Sequence, residues 1–310
     1  MEELYSSFSL KLLNLFIGLC RGAAGLPDHL RVLGYQDRGI EFRFQNAQNE
    51  SVCPELILAS IPTRHTILCE WKSGPNLDPK QLGRYCRVTA DDLRERAFLP
   101  APAVEAHDAT VVGAEEHAER LLLGIDKASC DLPLLLVTAG AITLRRGHFA
   151  RQQVTDVFRP GMKVDMTTSP MAFVPFDRES PDWVIAHHCF GQIVSYMAGG
   201  ESEVLLGRLV ADVCPVWSKI GGRSRSELEE RIKRVVIEAA RNELDAYLRR
   251  NRGLEGRTHT PTWDITNNPL HLATDKRTTE WRRVKRKVQQ FVESLRSGNR
   301  QLNLGVQGNG

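Results

Sequence analysis

Residues 53–72, Cys-Pro-Glu-Leu-Ile-Leu-Ala-Ser-Ile-Pro-Thr-Arg-His-Thr-Ile-Leu-Cys-Glu-Trp-Lys, leave a folding chain few choices. Two apolar runs of strand length flank a link that contains proline, and short, strongly apolar runs read as buried strands. Pro62 suits the second position of a tight turn made by Ile61 to Arg64. An antiparallel hairpin about that turn aligns Leu56 with Cys69, Ile57 with Leu68, and Glu55 with Glu70. Side chains two apart in a strand share a face. Ile67, Cys69 and Trp71 therefore point one way, and Leu68, Glu70 and Lys72 the other. Directly opposed like charges destabilise a sheet, so Glu55 and Glu70 need a cation. Lys72 can serve, but a divalent metal would use both carboxylates and leave Lys72 available for chemistry. Magnesium suits one or two carboxylates completed by water.

The surrounding pattern is mixed α/β. Residues 4–20 read as a largely buried helix and "GIEFRFQ" (39–45) as a half-buried strand. Asp78 can cap a helix whose first residue is Pro79 and which runs to about Val88. "DATVVG", "EEHAERLLLG" and "LPLLLVTAGAITL" follow as strand, helix and strand. Gln81 falls at the third helical position behind Asp78, where it can close a capping box, and Tyr85 lies one turn later. A second acid-x-Lys triplet, Asp78-Pro79-Lys80, has no apolar strand before it and is set aside.

Pro54-Glu55, then Glu70-Trp71-Lys72, then the Gln81 to Tyr85 spacing of "QLGRY" together resemble the PD-(D/E)XK nuclease superfamily, in its RecB-like branch. The order helix, strand, strand, strand, helix, strand is similar to that family's core, and the resemblance covers roughly residues 1–150. It implies a restriction-endonuclease-like mixed sheet flanked by helices and a metal-dependent nuclease acting on DNA. Carried over, Glu55, Glu70 and the main-chain carbonyl of Trp71 would hold magnesium, or manganese in its place. Lys72 would activate or position the attacking water, and Gln81 and Tyr85 would complete the site. The alternative is a catalytically inactive subunit that keeps the fold as a nucleic-acid-binding scaffold. No Walker-type GxxxxGK[ST] loop is present. A nuclease of this kind would take any ATP-driven step from other protein subunits, as in phage defence, repair or a mobile-element complex.

The second half reads differently. Residues 156–182 carry Pro160, Pro170, Pro175 and Pro181 without periodicity and form a connector. Helices are expected over about 183–197, 202–218, 226–250 and 276–297, the third with a capping box of Ser226 and Glu229. Residues 183–300 thus make a mainly α-helical C-terminal domain, with 301–310 as a flexible tail. "SKIGGRSRS" suggests a helix-turn-helix or winged-helix arrangement in which Arg223 and Arg225 touch phosphates. The other reading is a helical region used for packing or oligomerisation. His187-His188-Cys189 reads as structural, because adjacent residues seldom converge on one metal.

Charge supports an anionic partner near the C-terminus. Residues 1–220 hold 22 Lys/Arg against 27 Asp/Glu, whereas residues 271–310 hold 9 against 3. On the last helix Trp281, Val284, Val288, Phe291 and Leu295 make a docking stripe. The remaining faces carry Arg282, Arg283, Lys285, Arg286 and Lys287, suited to phosphates. Seven cysteines with no CxxC pair point to reduced thiols in a cytoplasmic protein. The N-terminus begins Met-Glu-Glu and its apolar run is broken by Asn14, which fits neither a signal peptide nor a membrane span.

Overall fold

A computed structural model of the chain describes residues 7–165 and 173–298 and divides them into two compact units. The first comprises Ser7–Val174 with Lys219–Ser224. It begins with helix α1 (Phe8–Arg21), capped by Ser7, whose side chain accepts from Leu10 N–H, and ended by Gly22 in the left-handed region. The short α2 (His29–Val32) leads to strand β1 (Tyr35–Ile40). Two-residue strands β2 (Phe44–Gln45) and β3 (Ser51–Val52) pair with each other, and β4 (Leu56–Ser60) and β5 (His65–Lys72) follow. Helices α3 (Pro79–Cys86) and α4 (Ala90–Glu95), strand β6 (Ala106–Ala114) and helix α5 (Ala118–Lys127) come next. Strands β7 (Leu134–Val137) and β8 (Ala141–Arg146), helix α6 (Gln152–Phe158) and strand β9 (Met162–Lys163) complete it.

Seven strands form one mixed sheet in the order β1-β4-β5-β6-β7-β8-β9. The β4–β5 hairpin has the expected register, Leu56 opposite Cys69 and Ile57 opposite Leu68. Its turn is closed by Arg64 N–H donating to the Ile61 carbonyl at 3.1 Å. β5 then runs parallel to β6, so it is bonded on both edges, which explains why it is buried from His65 to Trp71. The two faces separate as the alternation requires. Trp71 packs on Phe16 of α1, ring centroids 5.1 Å apart, while Leu68 joins Leu82 and Tyr85 of α3, Leu93 of α4 and Leu121 of α5 in one core.

Several elements differ from expectation for local reasons. The strand expected over 39–45 stops at Ile40, because Glu41 takes a positive φ of 46° and turns the chain out of the sheet. The run 132–144 is a hairpin, not one strand, since Thr138 Oγ1 accepts from Gly140 and Ala141 N–H to make a turn. The expected connector contributes the end of α6 and the edge strand β9; its residues 166–172, like residues 4–6 of the first expected helix and the tail 301–310, lie outside the described residues. Asn14 interrupts an apolar helix because it is a buried fastener. It donates to the Val174 carbonyl at 2.8 Å and accepts from Phe173 and Val174 N–H.

Gly221, expected as the turn of a helix-turn-helix, instead lies against the end of β1. A Cβ there would sit 2.1 Å from the Glu41 carbonyl oxygen, so only glycine permits the approach. Gly221 N–H donates to the Ile40 carbonyl at 2.7 Å, and Lys219 Nζ bonds Asp37 Oδ2 at 2.6 Å. At the start of β5, Tyr35 OH meets His65 Nδ1 at 2.5 Å and His65 Nε2 meets Asp108 at 2.7 Å. This buried polar thread ties β1, β5 and β6 at the end of β5 opposite Glu70 and Lys72.

The second unit comprises Pro175–Ser218 and the chain from Arg225 onward. It contains α7 (Asp182–Ala198), β10 (Glu203–Leu205), α8 (Leu206–Val213), α9 (Gly222–Arg241), β11 (Leu248–Arg250), α10 (Arg252–Thr258), β12 (Thr262–Ile265) and α11 (Thr274–Arg296). The region is helical as expected, with α7 on α11 through Phe190 and Phe291, edge to face at 5.5 Å. An antiparallel sheet, β10-β12-β11, was not foreseen. Helices expected over 202–218 and 226–250 each give up residues to it. The first is shortened because residues 203–205 pair with β12 and Cys214 precedes Pro215, which disfavours helix. The second starts early, at Gly222, so Ser226 lies inside the helix and not at its start. It ends where the Asn242 side chain bonds the Glu238 carbonyl and Leu244 N–H folds back to Ala239.

His188 sits on α7 against Phe176. Burial, helped by the neighbouring His187, pushes it down to about 4 from the usual 6.5. A histidine held neutral in the folded state binds fewer protons than in the unfolded chain, so stability falls as pH drops from 6.5 toward 4. The loss should be about 1–3 kcal/mol after allowing for partial solvation. Melting curves at neutral and acid pH should show a smaller acid loss for His188→Leu than for the parent.

Candidate active site

Three of the residues singled out in the sequence, Lys72, Gln81 and Tyr85, converge on the carboxylate of a fourth, Glu70. Glu70 lies in the buried part of β5 and is only 4% exposed. Asp78 caps α3 by accepting from Lys80 N–H, and Pro79 occupies the first turn. This start fixes the rotation of α3, and residues four apart lie on one side of a helix, so Gln81 and Tyr85 both face β5. Gln81 Nε2 donates to Glu70 Oε1 at 2.7 Å, and Tyr85 OH donates to Glu70 Oε2 at 2.7 Å. Lys72 Nζ lies 2.8 Å from Glu70 Oε1 and donates to Gln81 Oε1 at 3.1 Å. Gln81 therefore uses both ends of its amide inside this cluster. Burial, then the Glu70 charge, pushes the Tyr85 phenol well above its usual range. Tyr85 stays a proton donor to Glu70 at any physiological pH.

Glu55 precedes β4 by one residue. The paired ladder ends at Leu56 opposite Cys69, and the Glu55 N–H donates to the Cys69 carbonyl at 3.0 Å, one residue short of the Glu70 that the hairpin register leads one to expect. Its charge adds to the upward push on Tyr85. Trp71 sends its ring to the opposite face and leaves only its main chain beside Glu70 and Lys72.

The donor set suits a hard divalent cation. Glu55, Glu70 and the Trp71 carbonyl, the ligands expected from the sequence, would offer oxygens only, as magnesium prefers with water completing its shell. Among the described residues Glu70 Oε2 accepts only from Tyr85, and a carboxylate oxygen can accept twice. The set is small, since among the described residues no three His, Cys, Asp or Glu side chains group to hold a metal. His187, His188 and Cys189 make no such group either; the first two stack edge to face and Cys189 is fully buried.

The basic residues are dispersed. Arg223 and Arg225 fall in the first turns of α9, Arg223 exposed and Arg225 half-buried. On α11, Val284 and Phe291 are buried and Trp281, Val288 and Leu295 half-buried, the expected docking stripe. Arg282, Arg283, Lys285 and Arg286 are exposed. Lys287 is engaged instead, its Nζ donating to the Glu243 carbonyl at 2.7 Å. Sequence reasoning passed over Arg84, which lies beside Tyr85 on the same turn of α3; its only signal was its place three residues after Gln81. Among the described residues, no helix is long and apolar enough to cross a membrane.

Residues 9–120 match the model of the MJECL32 domain, a segment that includes Glu55, Glu70, Lys72, Gln81 and Tyr85. The chain is also similar to the uncharacterized protein MJECL32 of Methanocaldococcus jannaschii, 23% identical over 173 residues. That match spans 50% of this chain and 38% of the relative's length. No solved structure matches.

Proposed function

We propose that the first unit is a metal-dependent nuclease that hydrolyses phosphodiester bonds of DNA. The observation that carries this reading is the knot of Lys72, Gln81 and Tyr85 on the Glu70 carboxylate, with the Glu55 charge felt at Tyr85. A purely structural buried acid needs one good partner, whereas this one is held in a fixed orientation by three. Glu55, Glu70 and the Trp71 carbonyl would hold magnesium or manganese. Bound there, such an ion supplies Lewis-acid charge and an acidified water. Gln81 and Tyr85 fix the Glu70 carboxylate so that it need not reorganise during reaction. Lys72 has three N–H donors, two of which reach Glu70 and Gln81. The third is available to orient the attacking water and to offset charge building on the phosphate oxygens.

Incubating the purified protein with linear and circular DNA, with magnesium or with EDTA, tests this directly. Magnesium-dependent fragments support it, and intact DNA under both conditions removes it. A second reading, an inactive nucleic-acid-binding scaffold, is favoured by the small donor set and by Lys72 already neutralising Glu70. Under that reading DNA binds without being cut.

The second unit would add phosphate contacts through α11. Changing Arg282, Arg283, Lys285, Arg286 and Lys287 to Gln should weaken duplex binding about equally for all sequences. With Lys287 held by Glu243 and the others spread around the helix, about two contacts should be lost. Each would flatten the plot of log affinity against log salt by about 0.9. Titrations at several salt concentrations check this, and an unchanged slope would mean that α11 does not contact DNA.

A further inference from the structure

Beside Gln81 and Tyr85 lies a cleft that the proposed chemistry does not use. It encloses about 520 Å³ between α3 and residues 50–53 around β3, within the ~300–1,000 Å³ of sites that hold small ligands. Gln81 and Tyr85, the two residues that hold Glu70, form part of its wall, so an occupant would sit next to that carboxylate. Arg84 and Arg43 also line it. The half-buried Arg84 guanidinium makes no hydrogen bond or ion pair with any described residue. Arg43 bonds only the neutral Ser51 hydroxyl, at 2.9 Å.

The one carboxylate lining the cleft does not balance them. Glu50 is held in a fork by Arg87, at 2.7 and 2.9 Å, and accepts from Asn46 as well. The hydrogen bonds from Arg87 and Asn46 keep its carboxyl below the usual range, so its charge is taken up by Arg87. Arg84 reaches Glu50 through its charge alone, the least of the influences on that carboxyl, and neither Arg84, a half-buried residue, nor Arg43 forms an ion pair with a described carboxylate. A partly desolvated charge is costly unless it is paired, and the planar guanidinium fork matches phosphate oxygens.

We infer that Arg84 and Arg43 form a phosphate-binding subsite, which holds the backbone phosphate next to the one attacked at Glu70. This rests on the nuclease reading for its role, though the phosphate chemistry stands on the cleft itself. A free phosphate ion would meet the same groups, so the test separates a strand from an ion.

The experiment measures binding of the full chain to a labelled single-stranded oligonucleotide in EDTA at several salt concentrations. Arg84→Gln should weaken binding about tenfold at low salt and flatten the salt slope by about 0.7. Arg84→Lys should restore the slope but not the full affinity, because it keeps the charge and loses the fork. Arg43→Gln, at an exposed position, should act in the same direction and guards against misfolding of the Arg84 variants. In magnesium, Arg84→Gln should raise KM with kcat nearly unchanged. Unchanged affinity and slope for both Gln variants would overturn the inference. So would inorganic phosphate displacing the oligonucleotide as effectively, per phosphate, as unlabelled oligonucleotide does. The two readings fail separately. If Glu70→Gln stops cleavage while Arg84→Gln binds like the parent, the subsite falls and the nuclease stands. If the parent never cuts while Arg84→Gln still loses affinity, the nuclease falls and the subsite stands.

Discussion

Glu70→Gln should abolish magnesium-dependent cleavage, by about 100-fold or more, in a protein that still folds. The amide keeps the volume and one oxygen, which can still accept from the buried Tyr85 hydroxyl; its N–H2 replaces the oxygen that accepts from Gln81, and it carries no charge to hold a cation. Glu70→Ala should lose cleavage as fully and also lose stability. From the sequence, removing one of two opposed acids promises relief of repulsion. The structure adds an opposing effect: three donors, including the buried Tyr85 hydroxyl, converge on Glu70. Leaving that hydroxyl without an acceptor costs about 1–3 kcal/mol, visible as a fall of several degrees in melting temperature. Cleavage assays beside thermal melts separate the two effects. A Glu70→Gln protein that cuts like its parent would end the nuclease assignment.

Much of the first unit was legible because its signals are local or depend on the two-residue period of a strand. The hairpin register followed from Pro62 and two apolar runs as far as Leu56 opposite Cys69; beyond that pair Glu55 bonds Cys69 rather than Glu70, a slip that no sequence rule announces. The helix start at Asp78 and Pro79 followed from side-chain capping, and with it the side on which Gln81 and Tyr85 would lie. What failed depended on tertiary contact. Nothing near Ile40 announces that Glu41 turns the chain away, since the cause includes Gly221 packing there from far along the sequence. Short strands such as β10 and β11 exist only because β12 pairs with both, and in isolation their residues read as helix. The Tyr35–His65–Asp108 thread likewise joins three separate strands, which no spacing rule connects. Arg84 was passed over for a different reason: a lysine or arginine on a helix is usually a solvated charge, and only the absence of a partner in a built cleft marks it out.

Lys72→Ala should lose most turnover, by roughly 10²–10⁴-fold, while metal and DNA binding survive. Lys72 closes β5, with its side chain 18% exposed, and its ammonium contacts Glu70 and Gln81. Glu70 keeps Gln81 and Tyr85 as donors when that ammonium is gone, so its carboxylate stays oriented. The variant should therefore fold, and its Glu70 should offer a cation a more open oxygen than before, since Oε1 loses one of its two partners. Binding is accordingly unchanged or slightly tighter, measured by titrating magnesium and by oligonucleotide anisotropy. What disappears is the charge beside the attacked phosphate, an interaction realised fully only in the transition state, so kcat falls and KM does not rise. Lys72→Met, which keeps the aliphatic stem, should behave the same and separates lost packing from lost charge. Full cleavage by both variants would show that Lys72 serves only to neutralise Glu70. Unfolding of Lys72→Ala but not of Lys72→Met would make the stem a packing element, and the kcat of the Met variant would then decide the role of the charge.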